Sequence, residues 1–171
     1  MSGLYENIEN LQNEKTLTFL YRSPKIILEP LNSLLMSESY RKNLKISKKD
    51  ANEMALFTKG YAFAFQVLGY LCFKSKNKLK DIQLEFDAYM EQYTYDKIWN
   101  ECSKKDKYIL SKITNTPKKV EKILSELKIN SSLFSVYRTR LIKKGLVTSK
   151  TYGTLEFTLP RFEEYVKRQI L

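Results

Sequence analysis

A chain of 171 residues is long enough for one or two small domains, and 43% apolar residues with only five glycines and four prolines favour a mainly helical globular protein. No apolar run approaches the roughly 18 to 20 residues that span a bilayer, and the N-terminus does not read as a signal peptide, so we expect a soluble, cytoplasmic protein with no membrane partner. The net charge of +11 is concentrated in residues 103–150, which hold thirteen Lys or Arg and three Asp or Glu, and this favours an anionic partner over a merely solvated lysine face.

Helical patterns dominate the first half of the chain. Ser47 and Asp50 have the spacing of a capping box, which predicts a helix start there, and Gly60 is expected to end that helix. Residues 61–73 are almost wholly apolar, which indicates a buried core helix. A long apolar pattern from Leu84 to Trp99 then predicts a connecting helix. We therefore predict a helical module over about residues 1–80 and a second unit over about 81–171.

Three short helices are predicted in the basic segment. Ser103 and Asp106 repeat the capping-box spacing. Thr116 and Pro117 suggest an N-cap and a first-turn proline for the second helix. The third helix follows Asn130 or Ser131 as its cap, and its predicted buried stripe consists of Leu133, Val136, Tyr137 and Leu141. Helix, helix, tight turn and helix is the tri-helical pattern of helix-turn-helix proteins.

After Gly145 the apolar period changes from helical to alternating. This alternation predicts a two-stranded hairpin that turns at residues 151–153, and Pro160 is expected to open a last helix whose Phe162, Tyr165 and Val166 face the core. The predicted fold is therefore mostly α: a helical lid-like module followed by a winged helix-turn-helix with a small two-stranded β-wing.

Nucleic-acid contacts can be predicted from this arrangement, because the third helix of a helix-turn-helix enters the major groove of DNA. We expect Arg138 to read bases, since a guanidinium can bond two acceptors of guanine at once. Arg140 and Lys144 flank the predicted stripe and are expected to hold phosphates or to pair locally. The full set of expected DNA contacts is Ser132, Ser135, Arg138, Thr139, Arg140 and Lys143 on the third helix, Lys118, Lys119 and Lys122 before it, and Lys150 and Tyr152 on the wing.

Catalytic motifs are not evident. The sequence has no histidine, no phosphate loop and no Gly-x-Ser-x-Gly turn, and Cys72 and Cys102 lack metal-ligand spacing. We therefore expect two buried, reduced thiols, no metal, no cofactor and no catalytic residue in this chain, which is not expected to be an enzyme.

Four segments resemble the C-terminal half of prokaryotic AAA+/STAND ATPases: LTFLYR at 17–22, LEPL at 28–31, TKGYAFAFQVLGYL at 58–71 and FSVYRTRLIKKG at 134–145. Together they extend over nearly the whole chain. The resemblance implies the end of a nucleotide-binding domain, then a helical lid, then a winged helix. It also implies a longer parent that binds ATP and Mg, with the nucleotide-binding domain as a partner.

Individual roles follow from the resemblance alone. Gly60, Tyr61 and Ala62 are similar to a lid motif whose proline packs near adenine, with Ala62 in place of the proline, and Arg22 lies where related ATPases sense a phosphate. The expected function is binding of double-stranded DNA, without ATP hydrolysis by this chain. The alternative is a protein-interaction or autoregulatory module of the parent ATPase, and a homo-oligomer is left open.

Overall fold

The computed structural model describes residues 28–75 and 79–170. Over these residues the chain is mostly helical and includes a small three-stranded antiparallel sheet. The helices are α1 (Ser33–Leu44), α2 (Lys48–Phe57), α3 (Ala62–Ser75), α4 (Leu79–Met90), α5 (Asp96–Glu101), α6 (Lys104–Ile113), α7 (Val120–Leu127), α8 (Ser131–Lys143) and α9 (Phe162–Arg168). A π-helical turn, Glu91–Tyr95, joins α4 to α5, so the predicted connecting helix continues through one widened turn.

Several helix starts follow the local sequence. Ser47 Oγ accepts a hydrogen bond from the Asp50 N–H at the start of α2, and Ser103 and Asp106 form a complete capping box at the start of α6. Asn130 Oδ1 accepts from the Leu133 N–H at 2.7 Å and caps α8. These side chains satisfy amides that have no partner inside the helix. The three predicted starts are therefore confirmed.

The sheet has one strand more than the predicted hairpin. Its strands are β1 (Lys118–Lys119), β2 (Val147–Thr148) and β3 (Thr154–Phe157), in the order β1-β3-β2. Val147 lies opposite Phe157 in the β2–β3 hairpin, which confirms the change of period after Gly145. Lys118 lies opposite Leu155, so β1 adds to the free edge of β3.

The predicted start of α7 is wrong. The helix begins at Val120, with Lys119 as its N-cap, and Pro117 precedes β1 instead of lying in the first helical turn. The reason is tertiary: the Val120 N–H donates to Gly153 O at 2.8 Å, so the two residues before α7 are drawn onto the hairpin. Local propensity favoured a helix, but pairing with β3 determines the backbone there.

One cluster of buried side chains runs from Tyr40 in α1 to Val166 in α9. Phe162, Tyr165 and Val166 belong to it, as predicted, and Tyr165 donates a hydrogen bond to Asp96 at 2.8 Å. Cys72 and Cys102 are buried and form no disulfide, which agrees with the expected buried thiols.

Arg161 is the residue that precedes α9. It donates two hydrogen bonds, of 2.6 and 2.7 Å, to the nearly buried carboxylate of Asp87 in α4. The two helical parts of the chain are therefore joined by this bidentate ion pair as well as by the shared core.

Residues 28–75 and 79–170 contain neither a membrane-spanning helix nor a metal-ligand cluster. The helices there are too short or too polar for a bilayer crossing. Among the same residues, no three Cys, Asp or Glu side chains come together as metal ligands.

Candidate nucleic-acid interface

Helix α8 does not bury the stripe that its sequence suggested. Phe134 and Leu141 are the buried residues, whereas Leu133 is 43% exposed and Val136 is 65% exposed. Tyr137 is half-buried. The prediction that Leu133 and Val136 face the core is therefore wrong.

The physical reason is the rotation of α8 about its axis. Phe134 and Leu141 are seven residues apart, which places them on one face of a helix, and Arg138 lies between them on the edge of that face. An arginine there was not expected, but its aliphatic stem can cover apolar surface while its guanidinium finds a polar partner. Helix α8 consequently turns its outward face away from Phe134.

The outward face of α8 consists of exposed residues at helical spacing: Ser132, Ser135, Val136, Thr139 and Lys143. Four of these residues were expected to contact DNA, and the structure places them side by side. Val136 lies among them, where the sequence predicted a polar surface. Short hydroxyl side chains, an apolar group and one cation can all contact base edges or phosphates.

Arg138 lies at one edge of this face and is half-buried. Its Nη2 atom donates a hydrogen bond of 2.9 Å to Ser149 Oγ in the β2–β3 turn. The guanidinium therefore joins α8 to the hairpin, and it does not stand free at the centre of the face for base reading.

Arg140 lies at the opposite edge of the outward face. It donates a hydrogen bond to Asp106, whose side chain is only 1% exposed, and its guanidinium lies 4.9 Å from the centre of the Tyr137 ring. Lys144 Nζ lies 3.8 Å from the same carboxylate. Of the two expectations for Arg140 and Lys144, local pairing is the one that the structure bears out.

Asp106 is a buried acid held in its charged form. Burial opposes ionisation, but hydrogen bonds from Arg140 and Ser103 outweigh it, so the pKa of the carboxyl is lowered. The carboxylate both completes the cap of α6 and fixes the last turn of α8. The orientation of α8 thus depends on a charge cluster beneath it.

The three lysines expected before α8 have different environments. Lys118 is only 8% exposed, forms a 2.8 Å ion pair with Glu126 and donates to Lys112 O. Lys118 is therefore removed from the exposed surface by its place in β1, where side chains alternate between the two sides of the sheet. Lys119 and Lys122 are exposed.

The hairpin presents Lys150 and Tyr152 at its turn. The Lys150 side chain is 77% exposed and lies 3.2 Å from Glu156, and the Tyr152 side chain is fully exposed. Both residues can therefore reach a partner outside the chain. The Arg138–Ser149 hydrogen bond places the root of this turn beside α8.

Of the expected nucleotide-sensing residues, the structure describes Tyr61 and Ala62. Tyr61 and Ala62 line a cleft of about 610 Å³ between the turn at 59–62, the end of α5 and the segment that follows α8. Lys59 also lines this cleft, and its ammonium donates a hydrogen bond to Phe157 O at 2.9 Å. Burial lowers the pKa of this ammonium. Arg22 lies outside the described residues.

Leu133 and Val136 are the surface residues that sequence reasoning missed. The available signal is Phe134, an aromatic residue in the first turn of α8 that the predicted stripe does not include. Phe134 and Leu141 alone satisfy the spacing of one buried face.

The family model described as a domain of unknown function, DUF8462, matches residues 92–166. This range runs from the π-helical turn into α9 and includes the sheet and α8. No curated protein and no solved structure matches the chain.

Proposed function

We propose that residues 103–166 form a winged helix that binds double-stranded DNA, with the outward face of α8 in the major groove. The observation that carries the proposal is the composition of that face, where hydroxyl side chains, Val136 and Lys143 are exposed together. The arginines at its two edges, Arg138 and Arg140, are hydrogen-bonded within the protein. A helix needs an accessible, donor-bearing face to read a groove.

The order of elements supports a winged helix. Helix α6, strand β1, helices α7 and α8, and then the β2–β3 hairpin follow one another, with three residues between α7 and α8. The short connection is typical of a helix-turn-helix, and the hairpin with Lys150 and Tyr152 takes the place of a wing.

The positions of exposed cations also support the proposal. Lys119 and Lys122 lie at the start of α7, Lys143 lies in the last turn of α8, and Lys150 lies at the hairpin turn. In a winged helix the elements before and after the recognition helix contact the DNA backbone, so these lysines are the proposed phosphate contacts. Such contacts release counterions and make affinity depend steeply on salt.

The test is a titration of fluorescently labelled duplex with the full chain at about 50 and 200 mM salt. We expect binding in the micromolar range at the lower salt and a large loss of affinity at the higher. A variant in which Lys119, Lys122 and Lys143 are replaced by Ala should bind more weakly and with a shallower salt slope. The control of equal charge change replaces Lys42 in α1, Lys45 just after it and Lys48 at the start of α2 by Ala, because all three are exposed.

Protein binding is the second candidate function, because Leu133, Val136 and Tyr152 expose apolar surface in the same region. A partner protein, including the ATPase domain implied by the sequence resemblance, could cover these side chains. The salt titration separates the candidates: no duplex binding at the lower salt would remove the DNA proposal and leave the protein partner. The relation to AAA+/STAND ATPases, with ATP and Mg in a longer parent, stays a prediction.

A further inference from the structure

We infer that α8 recognises the methyl groups of thymine, so that the preferred duplexes carry A·T base pairs where the middle of α8 enters the groove. This inference rests on the proposed function and extends it to the class of DNA sequence. Two apolar side chains in the first half of α8 are exposed, Leu133 at 43% and Val136 at 65%, and Val136 lies among the hydroxyl side chains of the outward face.

The chemistry of the major groove explains an apolar side chain on a DNA-reading face. Thymine is the base that presents an apolar group there, its C5 methyl, and apolar side chains contact it. Cytosine, guanine and adenine present polar donors and acceptors at their edges. Val136 would lose a favourable contact at any base pair without a methyl group.

The contacts of the two arginines of α8 also favour thymine over guanine. Guanine is read most often by a free guanidinium that makes two hydrogen bonds. Arg138 is bound to Ser149, and Arg140 is bound to the buried Asp106. Both arginines are thus engaged within the protein at the edges of the helix, which weakens the case for guanine and leaves the centre of the face to Val136.

The positions of Leu133 and Val136 along α8 also suit contact with bases. In helix-turn-helix proteins the N-terminal residues of the recognition helix contact base edges. Leu133 and Val136 lie in the first half of α8, whereas Lys143 is its last residue and suits a phosphate. The apolar pair therefore occupies the part of α8 that would lie deepest in the groove.

The experiment begins by selecting bound duplexes from a randomised pool with the full chain at low salt. The best duplex is then synthesised with thymine, and again with uracil at every thymine, which removes the C5 methyl and leaves each hydrogen-bonding edge and phosphate unchanged. We expect selected sites rich in A·T pairs and affinity about fourfold lower for each contacted methyl that is lost. The salt slope should not change.

Val136→Ser removes the proposed contact without disturbing a packed core, because the side chain is mostly exposed. In this variant the ratio of thymine to uracil affinity should fall toward one. Leu84→Ser, at an 83% exposed position on α4, is the matched control and should keep the ratio of the unsubstituted protein.

Three outcomes would overturn the inference at different levels. Tight binding with equal affinity for the thymine and uracil duplexes would remove methyl recognition and leave DNA binding intact. A thymine preference that persists in Val136→Ser would remove the assignment to Val136. No binding of any duplex at low salt would remove the proposed function and this inference with it.

Discussion

Arg140 in the last turns of α8 donates a hydrogen bond to Asp106 in the first turn of α6, so the end of one helix is fastened to the start of another by a buried charge. The same carboxylate accepts from the N–H and the Oγ of Ser103. Asp106 therefore stabilises the cap of α6 and orients α8 at once.

Replacing Asp106 by Asn should destabilise the protein by about 2 to 4 kcal/mol, because a buried partner of Arg140 and Lys144 loses its charge. Chemical denaturation in urea measures this change. Asp50→Asn is the matched control, because Asp50 has the same place in the exposed cap of α2 and should cost less than about 1 kcal/mol. Equal losses in the two variants would show that the buried cluster adds nothing to the cap.

Acid should weaken the fold through the same carboxylate. The pKa of Asp106 is lower in the folded protein than in the unfolded chain, so its stabilisation is present above the unfolded pKa of about 4 and is lost as the pH falls through the folded value. Urea unfolding midpoints measured between about pH 6 and 3 should fall, and they should fall less in Asp106→Asn. An identical pH slope in both proteins would contradict this assignment.

Lys118 and Lys119 should respond differently to substitution although they are adjacent. Lys118→Ala removes a paired, buried ammonium and should cost about 1 to 3 kcal/mol of stability. Lys119→Ala should leave stability within about 0.5 kcal/mol and lower the salt slope of duplex binding by about 0.9. Unfolding and binding titrations on both variants test the pair, and a reversed pattern would exclude our placement of β1.

Gly60 should not tolerate a side chain. Its φ is +78°, and a Cβ atom would lie 2.7 Å from Pro30 Cβ, so Gly60→Ala should cost about 1 to 3 kcal/mol and displace the segment at 30–31. Gly153→Ala is the control, because φ there is +72° but the space around it is open, and only the backbone cost of about 1 kcal/mol remains. Thermal unfolding of the two variants gives the comparison.

Local signals in the sequence predicted much of the fold. Ser47, Ser103 and Asn130 cap helices where expected, and the alternation after Gly145 forms the β2–β3 hairpin. These features depend on hydrogen bonds and side-chain periods within a few residues. They could be read without knowledge of the tertiary structure.

Features that depend on distant residues could not be predicted. Strand β1 exists because β3 pairs with it, more than thirty positions along the chain. The orientation of α8 about its axis depends on two hydrogen bonds, from Arg138 to Ser149 and from Arg140 to Asp106. A count of basic residues likewise does not distinguish the buried Lys118 from the exposed Lys119.

The most direct measurement of the central claim is methyl NMR of the 20.2 kDa chain during titration with duplex DNA at low salt. We predict that the methyl signals of Leu133 and Val136 shift or broaden, while those of Leu56 and Leu84, exposed on α2 and α4, stay in place. Unchanged signals from Leu133 and Val136 at saturating duplex would contradict the placement of α8 in the groove.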